Sequence, residues 1–201
     1  MQIVFSPEVD AGEYQRQGKD FNFPDLTKTL CPLCHAEHLK KHGYYKRYLI
    51  IIGFMGLILI RRYKCQACGR TVSLLPSFAH PGRTYGITSI IGVLMLYYAE
   101  CRCVMDSVRI CKARHSVDCS RQLLRHFRKR FEGNLPALVD CTNTVFSLRG
   151  PPDTGEDIKK RGKQYLKCAQ RLNPEDVSKK LFERSRMTYL SPLPSSQGYH
   201  P

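Results

Sequence analysis

Cys31-Pro32-Leu33-Cys34 and Cys65-Gln66-Ala67-Cys68-Gly69-Arg70 are two Cys-x-x-Cys knuckles with thirty residues between them. Each pair turns tightly enough for both sulfurs to bind one ion, and two knuckles at the base of one hairpin bring four thiolates together. Zn²⁺ prefers four soft ligands of this kind in a tetrahedron. The pattern therefore predicts a structural zinc site with the ligands Cys31, Cys34, Cys65 and Cys68, which leaves no coordination position open for catalysis.

The thirty-residue gap has the composition of a hairpin. Residues 44–52 and 57–63 are rich in β-branched and aromatic side chains, and they flank Gly53-Phe54-Met55-Gly56. Two such runs around a glycine-containing link predict two antiparallel strands. An extended hairpin keeps the two knuckles adjacent in space, so we expect one zinc-ribbon module over residues 31–75.

Positive charge is concentrated in two windows. The chain of 201 residues has a formal charge of +15, of which residues 31–70 carry +7 and residues 105–131 carry +6. Concentrated positive charge of this kind indicates a nucleic-acid partner. The alternative for the hairpin is a solvated surface that prevents edge-to-edge pairing, for which lysine is the usual device. The predicted DNA contacts on the hairpin are Lys40, Lys41, Lys46, Arg47, Arg61, Arg62 and Lys64.

Residues 86–138 have the pattern of a helical helix-turn-helix unit. We expect a buried helix over 88–100, a short one over 106–113 and an amphipathic third over 120–131, capped by Asp118 or Ser120. The third helix fits the major groove, where arginine can bind guanine and glutamine can bind adenine. The alternative is an ordinary charged helix face. Its predicted DNA contacts are Arg121, Gln122, Arg125, Arg128 and Lys129.

The remaining segments carry weaker signals. Residues 1–30 form an N-terminal extension, with a strand over 2–5 and a helix that starts at Ser6-Pro7. Residues 150–190 are predicted as charged helices after a Pro/Gly linker, and 191–201 as a disordered tail. The predicted fold class is α+β: a four-cysteine zinc ribbon, a mainly helical helix-turn-helix unit and a weakly structured C-terminal region.

The cellular compartment follows from the cysteines and the N-terminus. Ten cysteines could suggest a secreted disulfide protein, but the first residues lack the basic region and the sustained apolar core of a signal peptide. The two apolar runs, 49–60 and 87–99, are shorter than the ~20 residues that a membrane crossing needs. We therefore expect a cytoplasmic protein without a membrane partner, in which the other cysteines mostly act as small buried side chains.

The knuckle Cys-Pro-Leu-Cys, the basic segment 41–47 and the block 60–76 resemble the zinc ribbon that opens many bacterial insertion-sequence transposases and their small accessory proteins. The resemblance covers about residues 25–135 and is most specific at the ribbon. It implies binding to double-stranded DNA in connection with a mobile element, with a transposase or a second copy of the chain as a further partner. The closest likeness is to relatives that carry the ribbon without a catalytic domain.

One departure from the transposases bears on catalysis. Their strand-transfer domain gathers three carboxylates around two Mg²⁺ ions on an α/β core. Only about 65 residues follow the predicted helix-turn-helix here, without an alternating βαβ pattern. We therefore expect no enzymatic activity and no catalytic residues.

Three other functions stay open at this point. A rubredoxin-like iron protein would also use two knuckles, and a fragment of an active transposase would nick or join DNA with Mg²⁺. A protein-interaction module would bind its partner on the apolar hairpin face around Ile50, Ile52 and Leu57. Within the metal site, His35, His38 or His42 could replace a thiolate, although solvated or phosphate-contacting histidines are favoured.

Overall fold

The computed structural model describes residues 1–37, 39–100, 103–148 and 157–191. The chain divides into two compact units, Met1–Ile87 and Thr88–Pro201. A four-stranded sheet dominates the first unit and helices make up the second, so the predicted α+β class is confirmed. Within the described residues, no helix combines the length and the apolar character that a membrane crossing needs.

The first unit is a mixed sheet with one helix. The strands run in the order β1-β4-β3-β2, with β1 parallel to β4 and the other pairs antiparallel. The N-terminal strand is therefore built into the same sheet as the hairpin, on the far side of β4. The elements are β1 (Gln2–Phe5), α1 (Ala11–Gln17), β2 (Leu39–Ile51), β3 (Phe54–Cys65) and β4 (Thr71–Pro76).

The hairpin formed by β2 and β3 is confirmed, and its turn is shorter than predicted. Ile51 pairs directly with Phe54, so the loop consists of Ile52 and Gly53 alone. Two-residue hairpin loops need positive φ, and Gly53 supplies it with φ of 81°. The segment from Phe54 onward, which the sequence placed in the turn, continues the ladder instead.

An aromatic cluster packs the helix against one face of this sheet. Tyr14 of α1 contacts Phe21 at a ring distance of 4.7 Å and Phe78 at 5.6 Å. Its buried hydroxyl donates a hydrogen bond to the Leu59 carbonyl at 2.8 Å. The hydroxyl therefore has the partner that a buried polar group requires, and α1 is fixed to the middle of β3.

The start of α1 differs from the prediction. The sequence placed the start at Ser6-Pro7, whereas the helix begins at Ala11 with Asp10 as its N-cap. The Asp10 carboxylate accepts a hydrogen bond from the Glu13 amide at 2.8 Å. A carboxylate satisfies a free amide at a helix start and interacts favourably with the helix dipole.

The second unit consists of helices. The first predicted helix is confirmed, although its last turn is π-helical. The other predicted helices are confirmed as elements, with shifted bounds. The elements are α2 (Ile87–Met95), the π-helical turn (Leu96–Glu100), α3 (Val104–His115), α4 (Arg121–Phe146), α5 (Ile158–Arg171) and α6 (Pro174–Ser185).

Helix α4 is twice as long as predicted. It continues for 26 residues through Gly133-Asn134-Leu135-Pro136, where the sequence pattern indicated its end. Pro136 is exposed and sits inside the helix. Burial outweighs the interruption because the apolar stripe continues at spacings of three and four residues beyond it. That stripe is Leu124, Phe127, Phe131, Leu135 and Leu138, and the polar Thr142 is buried one turn beyond it.

The structure also decides how α4 begins. Ser120, rather than Asp118, is the N-cap, since its hydroxyl accepts a hydrogen bond from the Leu123 amide at 3.1 Å. The two candidates differ by two residues, so this cap fixes the register of the helix. Leu124 and Phe127 then fall on its buried side, in agreement with the predicted amphipathic character of the third helix.

The expectation of a weakly structured C-terminal region is wrong for residues 157–191. Helix α6 begins with Asn173 as its N-cap and Pro174 in its first turn. Leu166 and Leu181 are completely buried, and the Tyr165 hydroxyl lies 3.1 Å from the Thr142 hydroxyl of α4. These helices therefore belong to the core of the second unit. The predicted linker (150–155) and most of the predicted tail (192–201) lie outside the described residues.

Candidate metal centre and nucleic-acid interface

The two knuckles have the same backbone geometry. In the first, the Cys31 amide donates to the Ala36 carbonyl at 2.8 Å, and the His35 amide donates to the Cys31 carbonyl at 2.9 Å. The second knuckle repeats both bonds 34 residues further along the chain. There the pairs are Cys65 with Arg70 at 2.9 Å and Gly69 with Cys65 at 3.1 Å.

Equivalent positions of the two knuckles adopt the left-handed conformation. His35 has φ of 58° and Gly69 has φ of 68°. Glycine adopts this conformation without steric cost, whereas a histidine side chain does so at a disadvantage. His35 therefore occupies the left-handed turn position of the first knuckle, which Gly69 occupies in the second.

The four cysteine sulfurs converge. The Sγ atoms of Cys31 and Cys68 are 3.9 Å apart and those of Cys34 and Cys65 are 3.6 Å apart. All four Sγ atoms lie within 4.8 Å of one another. A tetrahedron with metal–sulfur bonds of about 2.3 Å has sulfur–sulfur edges of about 3.8 Å. The cluster therefore fits a single tetrahedral metal ion.

The histidines near the knuckles do not join this cluster. Neither His35 nor His42 belongs to the group of potential ligands found among the described residues, and His38 lies outside them. The predicted ligand set of four cysteines is thus the set that the structure gathers. Because Zn²⁺ and iron both accept four thiolates in this geometry, the donors alone do not select the metal.

The thiols differ in acidity because backbone amides, burial and the neighbouring thiols act on them to different extents. The Cys68 amide lies 3.5 Å from the Cys65 sulfur and lowers the pKa of Cys65 to about 7. The Cys34 amide likewise lowers the pKa of Cys31. The Ala36 amide also lowers the pKa of Cys34, but burial and the neighbouring thiols outweigh it and raise that pKa to about 12. A divalent cation would replace the thiol protons, so that all four sulfurs could bind it as thiolates.

The hairpin presents its basic residues on two faces. Residues directly opposite in the ladder share a face, and successive residues alternate. Lys40 and Lys64 are paired and therefore lie on the face that also carries Arg62, whereas Arg61 is paired with Tyr44 on the other face. The predicted set is therefore not one continuous patch. The exposed members are Lys40, Lys41, Lys46 and Lys64.

Two neighbouring arginines of β3 are held by tyrosine rings. The guanidinium carbon of Arg61 lies 4.5 Å from the ring centroid of Tyr44 and 5.7 Å from that of Tyr63. Arg62 lies 5.9 Å from the ring of Tyr45 on the opposite face. These cation–π contacts fix the direction of both side chains, which are half-buried.

Arg47 has a different position from its neighbours. Its guanidinium donates hydrogen bonds to the backbone carbonyls of His80 and Arg83, and burial lowers its pKa. The half-buried side chain thus holds the loop after β4 against the edge strand β2. The sequence predicted Arg47 as a DNA contact and not as a structural residue, because a basic residue on an edge strand is usually solvated.

Four of the five basic or polar residues predicted on α4 are exposed. They are Arg121, Gln122, Arg125 and Lys129. The fifth, Arg128, is half-buried and donates a hydrogen bond to the Tyr97 hydroxyl at 2.9 Å. Its Nε lies 3.4 Å from the Glu132 carboxylate. Arg128 is therefore already engaged within the second unit.

Tyr97 also has a second cation beside it that the sequence analysis missed. The ammonium group of Lys159, in the first turn of α5, lies 5.0 Å from the Tyr97 ring centroid. The Arg128 guanidinium lies 5.3 Å from the same centroid. Sequence patterns could not find this pairing because Lys159 and Tyr97 are 62 residues apart in the chain.

A short turn joins α3 to α4. Ser116 ends α3 in the left-handed conformation with φ of 53°, and its amide donates to the Lys112 carbonyl. Val117 and Cys119 are buried within the turn, and Ser120 caps α4. The turn is therefore anchored by two apolar side chains, and the first residues of α4 extend into solvent.

A family model described as "Domain of unknown function (DUF6431)" matches residues 31–112. The matched segment starts at the first cysteine of the metal cluster, contains the hairpin and β4, and ends within α3. Its description names no activity or ligand. No curated protein and no solved structure matches the chain.

Proposed function

We propose that this protein is a zinc-dependent, non-catalytic DNA-binding protein. The observation that carries the proposal is a cluster of four cysteine sulfurs, all within 4.8 Å of one another, at the base of a hairpin with four exposed lysines. The cluster holds both strands of the hairpin at their knuckle ends. The lysines are then held on a stiff ribbon, where they can contact phosphates without a large loss of backbone entropy.

Zinc is the proposed metal, and its role is structural. Four thiolates complete its tetrahedral shell, so the energy of ligation is folding energy for the first unit. A rubredoxin-like iron centre is the competing possibility, but electron transfer gives no reason for a basic hairpin. Elemental analysis of the purified protein should find about one zinc per chain, and a visible iron chromophore would overturn this assignment.

Chelation tests the structural role of the metal. Removing the ion should unfold the first unit, which backbone amide NMR signals of the hairpin would report. Cys65→Ser should have the same effect, because three thiolates leave the shell incomplete. Cys168→Ser, in α5, is the matched control and should retain both metal and hairpin. A metal-free protein with an intact hairpin would contradict the proposal.

The second proposed DNA contact is the helix-turn-helix formed by α3 and α4. The exposed N-terminal residues of α4 support this reading because that end of a recognition helix meets base edges in the major groove. Arg121, Gln122 and Arg125 are the proposed base contacts, and Lys129 is a phosphate contact. Arg128 contacts Tyr97 and Glu132, so its proposed role is to stabilise the second unit and not to contact DNA.

Binding to a duplex under varied salt tests DNA binding directly. Fluorescence anisotropy with a labelled duplex should show an affinity that falls steeply as salt rises, since each neutralised phosphate releases counterions. A mobile-element connection would further require preference for the ends of such an element. A flat salt dependence would argue for a protein partner in place of DNA.

A protein-interaction role is the second candidate, and the hairpin tip favours it. Met55 is 65% exposed, Leu57 48% and Tyr48 44%, and no charged residue lies between Tyr48 and Leu57. Exposed apolar clusters of this kind mark contact surfaces for a transposase or a second copy of the chain. Sedimentation without DNA checks it: the wild type should self-associate, and Met55→Ser should abolish this self-association while DNA affinity stays unchanged.

A further inference from the structure

Lys40 of β2 lies directly opposite Lys64 of β3, close to the knuckles. Residues opposite each other in an antiparallel pair have Cβ atoms about 5 Å apart, and like charges at such positions are destabilising. Both side chains are exposed, and neither ammonium group has an ion-pair partner among the described residues. The pair is therefore unfavourable in the free protein unless an anion joins it.

Protection of a sheet edge does not explain the pair. Lysines often blunt edge strands, and β2 is an edge strand, which would account for Lys40. Lys64, however, lies on β3, which has a hydrogen-bonded neighbour on each side. A lysine on an inner strand protects no edge, so Lys64 requires another reason.

Compensation of the thiolates does not explain it either. Lys64 directly precedes the ligand candidate Cys65, but successive residues of a strand point to opposite faces. The Lys64 side chain therefore leaves the sheet on the face away from the Cys65 sulfur. Lys40, as its cross-strand partner, leaves on the same face as Lys64.

Hydrogen-bond donors continue from the lysine pair across the sheet. Thr71 of β4 is paired with Lys64, and the next row contains Arg62 and Ser73. The Arg62 Nε is buried without a hydrogen-bond partner. The three strands β2, β3 and β4 contain no acidic residue. This face thus combines two ammonium groups with hydroxyl and guanidinium donors, the set that binds phosphate oxygens.

We propose that the row formed by Lys40, Lys64 and Thr71 binds a phosphate group, with Arg62 as its neighbour in the next row. The inference rests on the proposed function, in which the group is a backbone phosphate of DNA. A bound phosphate cancels the repulsion between the two lysines. The lysine pair therefore destabilises the free protein and stabilises its complex with phosphate.

The first test compares the stability of zinc-loaded, full-length variants at low salt without polyanions. Lys64→Gln should raise the midpoint of thermal unfolding by about 1–4 °C, because it removes a like-charge pair. Lys46→Gln is the matched control, since Lys46 is exposed and faces the uncharged Leu59 across the same ladder. Its midpoint should not move. A clear loss of stability in Lys64→Gln would overturn the inference.

The second test asks whether the two lysines share one phosphate. With a labelled duplex, Lys40→Gln and Lys64→Gln should each weaken binding, and the double variant should be little weaker than either single variant. The salt slope of the double variant should fall by about one. Lys46→Gln combined with Lys64→Gln should instead multiply the losses. Independent losses from Lys40 and Lys64 would overturn the shared site.

The third test separates a nucleic-acid phosphate from a free phosphate. Inorganic phosphate, exchanged for chloride at constant ionic strength, should raise the unfolding midpoint of the wild type and not that of the double variant Lys40→Gln/Lys64→Gln. If this shift occurs but the duplex does not bind, the row binds a small phosphate ligand, so the inferred site is supported and the proposed function fails. If the double variant binds the duplex with unchanged affinity and slope, the inference fails and the proposed function stands.

Discussion

The guanidinium of Arg47 donates a hydrogen bond to the backbone carbonyl of His80, thirty-three residues further along the chain. A second hydrogen bond reaches the Arg83 carbonyl from the same nitrogen. Both hydrogen bonds come from a charged and half-buried group, and they hold the loop after β4 against β2. Arg47 therefore stabilises the first unit, whereas the neighbouring Lys46 is exposed and available to a ligand.

Arg47→Ala and Lys46→Ala should accordingly have opposite consequences. Arg47→Ala should lower the free energy of unfolding of the first unit by about 1–3 kcal/mol, because it removes two hydrogen bonds that a charged group donates. Lys46→Ala should change it by no more than about 0.5 kcal/mol, and should weaken DNA binding for all sequences alike. Urea denaturation of the zinc-loaded protein measures the first effect. Equal stability of the two variants would contradict the role assigned to Arg47.

Burial of His80 should make the stability of the first unit depend on pH. Burial, together with the positive charges of Arg83 and Arg47, lowers the pKa of His80 to about 4, although the Pro81 carbonyl opposes the shift. The unfolded chain binds a proton near pH 6.5 and the folded protein does not. The stability from a neutral His80 is therefore present above pH 6.5 and is lost as pH falls toward 4, by roughly 3 kcal/mol in total.

The matched variant is His80→Gln, which keeps an amide donor for the Pro81 carbonyl and does not titrate. Unfolding measured between pH 7 and pH 4 should show a shallower loss of stability in this variant. Acid release of the metal contributes to both proteins equally, so the difference between their slopes reports His80. Parallel slopes would show that His80 has the same pKa in the folded and the unfolded protein, which would contradict this prediction.

The parts of the fold that the sequence predicts are those that depend on the spacing of residues close together in the chain. Two cysteine pairs and the β-branched runs between them suffice for the knuckles and the hairpin, because the ligands and both strands follow one another in the chain. The parallel pairing of β1 with β4 joins Gln2 to Ser73, and no local pattern encodes a partner seventy residues away. The same is true of Arg47, whose charge suggests solvent and whose partners are distant carbonyls.

Helix α4 shows how two local signals can conflict. Gly133 and Pro136 are strong helix breakers, and they favoured an end near Phe131. The apolar stripe continues past them to Leu138, and tertiary burial of that stripe outweighs the cost of the proline. Extending the periodicity beyond the breakers would have found the full helix. The side of α4 that α5 covers can be read only from the tertiary structure, and so can the contact between Lys159 of α5 and Tyr97 of the π-helical turn.

The two left-handed knuckle positions should respond oppositely to substitution. Gly69→Ala forces a Cβ into a positive φ and should destabilise the first unit by about 1 kcal/mol, although no atom lies within 4 Å of the added carbon. His35→Gly relieves the same conformation and should be neutral or stabilising. Metal competition with a chelator and thermal unfolding measure both. Loss of metal in His35→Gly would instead indicate that the imidazole contributes to binding.

The exposed and engaged arginines of α4 should separate sequence recognition from stability. After a preferred duplex has been selected from a random pool, Arg125→Ala should lower the preference for it over random DNA by about 10–100-fold, as expected for loss of a base contact. Its unfolding should be unchanged because the side chain is exposed.

Lys129→Ala should weaken both duplexes equally and reduce the salt slope by about one. Arg128→Ala should chiefly lower the stability of the second unit, since it removes the contacts with Tyr97 and Glu132. Competition binding and denaturation of the same three variants distinguish these outcomes, and unchanged preference in Arg125→Ala would remove α4 from the proposed DNA-reading surface.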